Sequence, residues 1–265
     1  MTPLSADPTP PAWPYPRWIA HRGAGKLAPE NTLAAFRLGA SYGYRMFECD
    51  VKLSQDGVPF LMHDATLTRT TNASQTWNAG QSMVGGEHPW AALSQLDAGS
   101  WHSRGYAGEP LATLASIARY LQANGFFVNL EIKPTPGQEH KTGTAVAHTV
   151  ARLWANETIK PLLSSFEVEA LRAALDAEPT LPRALLLDTL WTGWLETARE
   201  LGCHAIVCNY ALWDANTVAL AQAAGFRTAS YTVNDEWAGQ YLIDLGTDSI
   251  ITDRVDRFSP LSGPV

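Results

Sequence analysis

Residues 205–253 run AIVCNYALWDANTVALAQAAGFRTASYTVNDEWAGQYLIDLGTDSIITD. Three short apolar segments (AIVCN, TASYTV and SIITD) are separated here by two helical stretches, one over 214–224 stopped by Gly225 and one near 235–245. Apolar segments of this kind between helices suit strands of a parallel sheet, covered on both faces. The same unit recurs upstream. RALLLD precedes a helix ending near Gly202, LLSSF precedes a helix over 167–178, and FFVNLEIK precedes a helix from around Gly143 to Trp154. Leu111 to Asn124 is amphipathic and Gly125 stops it. With the strands of the N-terminal part the count reaches about eight, which favours a closed TIM-type (β/α)8 barrel over an open doubly wound sheet. No Gly-x-Gly-x-x-Gly follows the first strand, so a dinucleotide fold loses support. The expectation is an α/β barrel forming one domain over residues 1–265.

Residues 18–64 break the regularity in an informative way. Trp18-Ile19-Ala20 leads into His21-Arg22-Gly23 at the end of a short strand. Pro29-Glu30-Asn31 then opens a helix with Leu33, Ala34, Phe36, Leu38 and Ala40 on its buried face. The next strand carries Glu48 and Asp50 two residues apart, hence on one side. Between VKL and VPFLMH lie only Ser54, Gln55, Asp56 and Gly57, too few for a parallel crossover. Asp-Gly is a hairpin signal, so these strands run antiparallel and His63 comes across from Glu48 or Asp50, depending on loop length. From Ala65 to Pro110 periodicity lapses amid Gly, Ser, Asn and Thr. That span reads as a small insertion with its own core over one end of the barrel.

Composition narrows the function classes. A hydrophobic share of 46% is ample for a core, and disorder is expected only in the proline-dense start through Pro16 and the tail after Phe258. The formal charge of −7, with 26 acidic against 19 basic residues and no basic cluster, opposes a nucleic-acid or anionic-membrane surface. No basic leader, apolar leader or bilayer-length run is present, and three cysteines (Cys49, Cys203, Cys208) match no metal or redox spacing. A cytoplasmic protein with reduced thiols is the expectation.

Barrel enzymes gather their chemistry at the carboxyl ends of the strands. His21, the Glu48/Asp50 pair, and Glu131 with Lys133 all fall near such ends. Three converging carboxylates repel unless neutralised, and a hard divalent cation, Mg2+ or Ca2+, is the natural partner. Arg22 and Lys133 beside it suit a phosphate, and two histidines suit a base and an acid for phosphodiester cleavage. Glu131 and Lys133 alone would equally make a structural ion pair; it is the set that points to a site.

His-Arg-Gly, Pro-Glu-Asn-Thr, Glu-x-Asp, His-Asp at 63–64 and Glu-Ile-Lys, in this order, resemble the motifs of the glycerophosphodiester phosphodiesterase family. LAPENTLAAF, DAGSW at 97–101, LLSSFE at 162–167, YTVN at 231–234 and TD at 252–253 extend the likeness to the bacterial cytosolic branch. The resemblance implies a barrel with an insertion after the His63 strand, matching 65–110. It implies metal ligation by Glu48, Asp50 and Glu131, acid and base roles for His21 and His63, phosphate binding by Arg22 and Lys133, and Glu30 and Asn31 bordering the site. Trp101, Phe166 and Tyr231 become candidates for packing on glycerol or the leaving alcohol; many members carry Trp where this chain has Tyr231. The implied reaction is hydrolysis of a glycerophosphodiester such as glycerophosphocholine or glycerophosphoethanolamine to glycerol 3-phosphate and an alcohol, by direct attack of water or through a cyclic phosphate. The expected partner is that small molecule, with no nucleic acid and no membrane, and with room for a homo-oligomer. Relatives acting on intact lipids would be expected to carry an apolar rim, a secretion signal or disulfides, so soluble diesters are preferred.

Overall fold

A closed parallel barrel forms the body of the protein in the computed structural model, which describes residues 12–260. Its strands are β1 (Trp18–Ala20) and β2 (Met46–Leu53), followed, after the antiparallel β3 (Pro59–Leu61), by β4 (Phe127–Ile132), β5 (Leu162–Ser165) and β6 (Arg183–Leu187). β7 (Ala205–Asn209), β8 (Arg227–Tyr231) and β9 (Ser249–Thr252) complete it. The neighbour order is β1-β9-β8-β7-β6-β5-β4-β2, and Ala20 pairs with Phe47 to close the ring between β1 and β2. Helix α1 (Leu33–Ser41) joins β1 to β2, and the turns α2 (Ala73–Thr76) and α3 (Trp90–Leu93) lie between β3 and α4 (Leu114–Ala123). Then α5 (Glu139–Leu153), α6 (Val168–Ala177), α7 (Trp194–Glu200), α8 (Ala215–Ala223) and α9 (Glu236–Asp244) follow β4 to β8 in turn. The eight-stranded barrel read from the sequence is the observed fold.

Strand alternation divides the core in two. Ile19, Met46, Leu162, Ala184, Leu186, Val207, Ala229 and Ile251 fill the barrel. Their neighbours in sequence, among them Phe47, Cys49, Val51, Leu130, Leu185 and Ile206, pack outward under the helices. No helix among the described residues is long and apolar enough to cross a membrane.

Three local expectations need correction. Pro29-Glu30-Asn31 precedes α1 rather than opening it: Thr32 is the cap, its side chain accepting from the Ala35 amide at 3.3 Å, and Asn31 is held out of the helix at φ +62°. The fully buried residues of that helix are Ala35, Phe36 and Gly39, with Leu33, Leu38 and Ala40 half-buried at its margins. The β2–β3 hairpin differs too. Leu53 pairs with Pro59, and the Ser54 amide donates to the Val58 carbonyl at 3.0 Å, leaving a turn over 55–57 with Gly57 left-handed at φ +82°. An odd turn shifts the register by one residue from both alternatives. Met62 therefore lies opposite Asp50, its amide donating to the Asp50 carbonyl at 3.0 Å, and His63 faces neither carboxylate across the ladder. β3 has ended by then, and the bend at His63 carries the imidazole into the barrel mouth.

The third correction concerns the proline-dense start. Residues 1–11 and the tail from 261 lie outside the described residues, but Trp13 and Tyr15 belong to the barrel interior. Tyr15 is 8% exposed, meets Phe127 edge to face at 6.2 Å, and donates its hydroxyl to the Lys160 carbonyl at 2.8 Å. The Trp13 indole donates to Ser249 Oγ at 2.9 Å. Lys160 and Ser249 stand at the amino ends of β5 and β9, so this segment closes the lower end of the barrel. Proline removes amide donors the segment does not need, and the aromatics supply the burial that composition alone hid.

The 65–110 segment carries its own apolar cluster, in which Leu67, Ala73, Leu93, Leu96 and Ala98 pack with Phe60, Met62 and Leu111. Truncating the floor tests how far the N-terminal segment belongs to the fold. Tyr15→Ala is expected to cost about 3 kcal/mol of unfolding free energy by urea titration, and an unchanged midpoint would separate the segment from the core.

Candidate active site

The mouth of the barrel is built around a constrained loop. Directly after β1, His21 donates its amide to the Thr252 carbonyl at 3.0 Å, extending the β1–β9 ladder by one residue. The chain then turns through left-handed Arg22 (φ +50°), Gly23 (φ +99°) and Gly25 (φ +59°). A Cβ on Gly25 would sit 2.3 Å from the Asp253 backbone, so glycine is what lets this loop press on the end of β9. A left-handed arginine is strained by roughly 1–3 kcal/mol and persists only where its surroundings over-determine it. Here the Arg22 amide donates to Glu48 Oε2 at 3.1 Å, its carbonyl accepts from Asn31 at 3.0 Å, and its Nη1 donates to Glu30 Oε1 at 2.9 Å.

The strands supply the carboxylates. Parallel register sets Glu48 beside Asn129 and Asp50 beside Glu131, so four oxygen-bearing side chains share one patch of the inner wall. Glu48, Asp50 and Glu131 each offer an oxygen within 4.8 Å of the others. Glu48 and Asp50 are 3% and 1% exposed, yet Glu48 Oε1 and Asp50 Oδ1 have no hydrogen-bond partner among the described residues. Buried polar atoms are rarely left so, and two orphaned oxygens in an all-oxygen cluster fit a hard divalent cation.

Electrostatics agree with that fit. Burial, then Asp50 and Glu131, push Glu48 well above the usual carboxylate range. Burial and Asp50 lift Glu131 to about 7. Burial acts on Asp50 as well, but Arg22 and Lys133 outweigh it and hold this group at about 2. Lys133 Nζ lies 2.6 Å from Glu131 Oε1 and 3.6 Å from Asp50 Oδ1. Protein cations thus balance part of the cluster, and a bound dication would supply the rest.

Each histidine has its own carboxylate. His21 Nδ1 lies 2.6 Å from Asp253 Oδ1, which leaves Nε2 toward the cluster, 3.7 Å from Glu48 Oε2. Asp253 is fixed in turn, its Oδ2 accepting from Asn234 at 3.0 Å. His63 Nδ1 lies 2.8 Å from Asp64 Oδ1. Burial and the nearby Arg22 lower the His63 pKa against the pull of Asp50 and Asp64. A cavity of about 190 Å³ opens between the two imidazoles. His21, Arg22, His63, Lys133, Phe166 and Tyr231 line it, and Asn129, Leu186 and Ile251 form its floor.

The residues singled out from sequence therefore fall into groups. His21, His63, Arg22, Lys133, Glu48 and Glu131 line one cavity, with Asp50 in the wall behind them. Phe166 and Tyr231 meet edge to face at 5.6 Å on its rim, and the Tyr231 hydroxyl donates to the Leu187 carbonyl at 2.9 Å. Asn31 turns to Asp50 instead of the cavity: Nδ2 donates to Oδ2 at 2.8 Å and Oδ1 accepts the Asp50 amide at 3.1 Å. Glu30 lies behind Arg22, and Trp101 stands outside the lining with its ring 5.8 Å from the Arg69 guanidinium carbon. Asp64, Asp253, Asn234, Asn129 and Arg69 are parts of this site to which the sequence reading gave no role. His-Asp and Thr-Asp stood in the sequence as signals for the two aspartates. Nothing in it tied Asp253 to a histidine 232 positions earlier.

Residues 21–257 match the model of the glycerophosphoryl diester phosphodiesterase family. The chain is 30% identical to a glycerophosphodiester phosphodiesterase of Caldanaerobacter subterraneus, over 89% of this chain and 93% of that one. It is 32% identical to glycerophosphodiester phosphodiesterase domain-containing protein 5 of Gallus gallus, over 91% of this chain but only 42% of that longer protein. Among solved structures, an Oleispira antarctica phosphodiesterase in complex with the product sn-glycerol-3-phosphate superposes with a TM-score of 0.81 at 34% identity, covering 90% of this chain and 93% of that one. The chain belongs to the glycerophosphoryl diester phosphodiesterase family.

Proposed function

We propose that the protein hydrolyses glycerophosphodiesters, glycerophosphocholine and glycerophosphoethanolamine among them, to glycerol 3-phosphate and an alcohol, with Mg2+ or Ca2+ bound by Glu48, Asp50 and Glu131. One observation carries the reading: two histidines, each backed by an aspartate, face a single cavity that also holds the carboxylate cluster, an arginine and a lysine. The product bound by the Oleispira antarctica relative supports glycerol 3-phosphate as the part of the substrate held here.

The bound cation would polarise the phosphoryl oxygens and offset charge developing on them. Arg22 presents its guanidinium to the phosphate from a backbone already fixed in place, and Lys133 adds a compact positive charge. Asp253 accepts a hydrogen bond from His21 Nδ1 and so keeps that ring's Nε2 toward the reacting phosphate. Asp64 does the same for His63. One imidazole removes a proton from the attacking water or glycerol 2-hydroxyl, and the other, already protonated, gives its proton to the leaving alkoxide. After attack by the 2-hydroxyl, water opens the cyclic phosphate to glycerol 3-phosphate. Phe166 and Tyr231 wall the cavity's rim, where an apolar face would pack on glycerol or shelter the alcohol from water.

Release of glycerol 3-phosphate from glycerophosphocholine is expected to stop in EDTA, to return with Mg2+ or Ca2+, and to fall at least about a hundredfold in His21→Ala. Full turnover in EDTA would remove the cation from the mechanism. Asp253→Asn preserves size but no longer selects the ring tautomer. Its kcat is expected to drop at least about tenfold with KM within about threefold of the parent. A wild-type kcat would deny Asp253 its role in orienting His21.

A further inference from the structure

A chain of charge-assisted hydrogen bonds joins the two halves of the site through a residue of the 65–110 segment. Arg69 donates from Nε to Asp64 Oδ2 at 2.7 Å and from Nη2 to Asp64 Oδ1 at 2.8 Å. The same guanidinium donates from Nη1 to Glu30 Oε2 and from Nη2 to Glu30 Oε1, both at 2.8 Å. Asp64 is the carboxylate on His63 Nδ1, and Glu30 is the carboxylate on Arg22 Nη1. All three nitrogens of Arg69 are thus engaged on two carboxylates, one behind a histidine and one behind the arginine of the cavity. Trp101 flanks the guanidinium.

We propose that Arg69 is a positioning residue for the phosphodiesterase reaction: its fork holds Asp64 and Glu30 together and so sets His63 and Arg22 at their working separation across the substrate. The proposal rests on the phosphodiesterase reading above. Arg69 is not among the residues that line the cavity, and its side chain is 44% exposed. The guanidinium lies at the surface above carboxylates that are 12% and 27% exposed, so its removal leaves no cavity in the apolar core. Its geometry is nonetheless of the specific kind, two bidentate carboxylates on one planar cation, which lysine cannot reproduce. Without the cation, Asp64 and Glu30 face each other as like charges with nothing between them. Asp64 would turn from His63 and Glu30 from Arg22. The effect therefore reaches turnover and phosphate binding together, although no atom of Arg69 meets substrate.

The test is steady-state kinetics on glycerophosphocholine for Arg69→Ala, Arg69→Lys, Asp64→Asn and Glu30→Gln and their combinations, with glycerol 3-phosphate affinity read by calorimetry. Asp64→Asn is expected to lower kcat and Glu30→Gln to raise KM. Arg69→Ala does both, by at least about tenfold each, with no further loss when either carboxylate change is added. Arg69→Lys, which keeps the charge and loses the fork, recovers less than about a tenth of the lost turnover. In Arg69→Ala the product binds about tenfold more weakly while the melting temperature stays within a few degrees of the parent. Parental kinetics in Arg69→Ala, full recovery by lysine, or losses that simply multiply across the combinations would overturn the proposal. Should the parent protein cleave no glycerophosphodiester, the reaction assigned above falls, and the product-affinity arm still decides whether Arg69 holds Arg22.

Discussion

Three carboxylates packed within 4.8 Å of one another, two of them almost wholly shielded from water, are the constraint to which the rest of the molecule answers. Such a cluster is unfavourable in a low-dielectric wall unless positive charge surrounds it. The chain brings that charge from opposite directions, Arg22 from the loop after β1 and Lys133 from beyond β4. Asn31 fastens Asp50 by both ends of its amide, and the Arg22 amide fastens Glu48. Two non-glycine residues in left-handed conformations, Arg22 and Asn31, are the visible cost of that arrangement. Both are adjacent to the groups they hold, so the strain sits where the carboxylates must be fixed.

Parallel register turns this requirement into a fold-level property. Because Glu48 pairs with Asn129 and Asp50 with Glu131, a slip of one residue between β2 and β4 would turn one strand's polar pair away from the barrel. Outward neighbours Phe47, Cys49, Val51, Leu130 and Ile132 are apolar and buried under the helices, which makes such a slip expensive. Packing on the outside therefore guards chemistry on the inside. The same coupling shows at α1, where Gly39 lets the Gly23 backbone approach and so anchors the His21 loop against a helix.

Much of this was legible in the chain. Period-two alternation placed Glu48 with Asp50 and Glu131 with Lys133, and glycine stops marked the helix ends, because both signals are local. The hairpin turn was harder. Whether its loop holds an even or odd number of residues depends on how Ser54 and Val58 pair, and Asp-Gly fits either. Asp253 could not be assigned to His21, since barrel closure alone makes β9 a neighbour of β1. Arg69 was hidden for a different reason: a lone arginine in an aperiodic segment looks like any surface charge until its two carboxylates are seen. Tyr15 was missed because proline density outweighed two aromatics in the reading of composition.

The closed lower end has a kinetic meaning. With Tyr15 and Trp13 packed beneath Ile19, Met46 and Leu186, the described residues leave the cavity closed at its lower end. Whatever enters must leave by the way it came, and fragments cannot depart in opposite directions as they would from a through-channel.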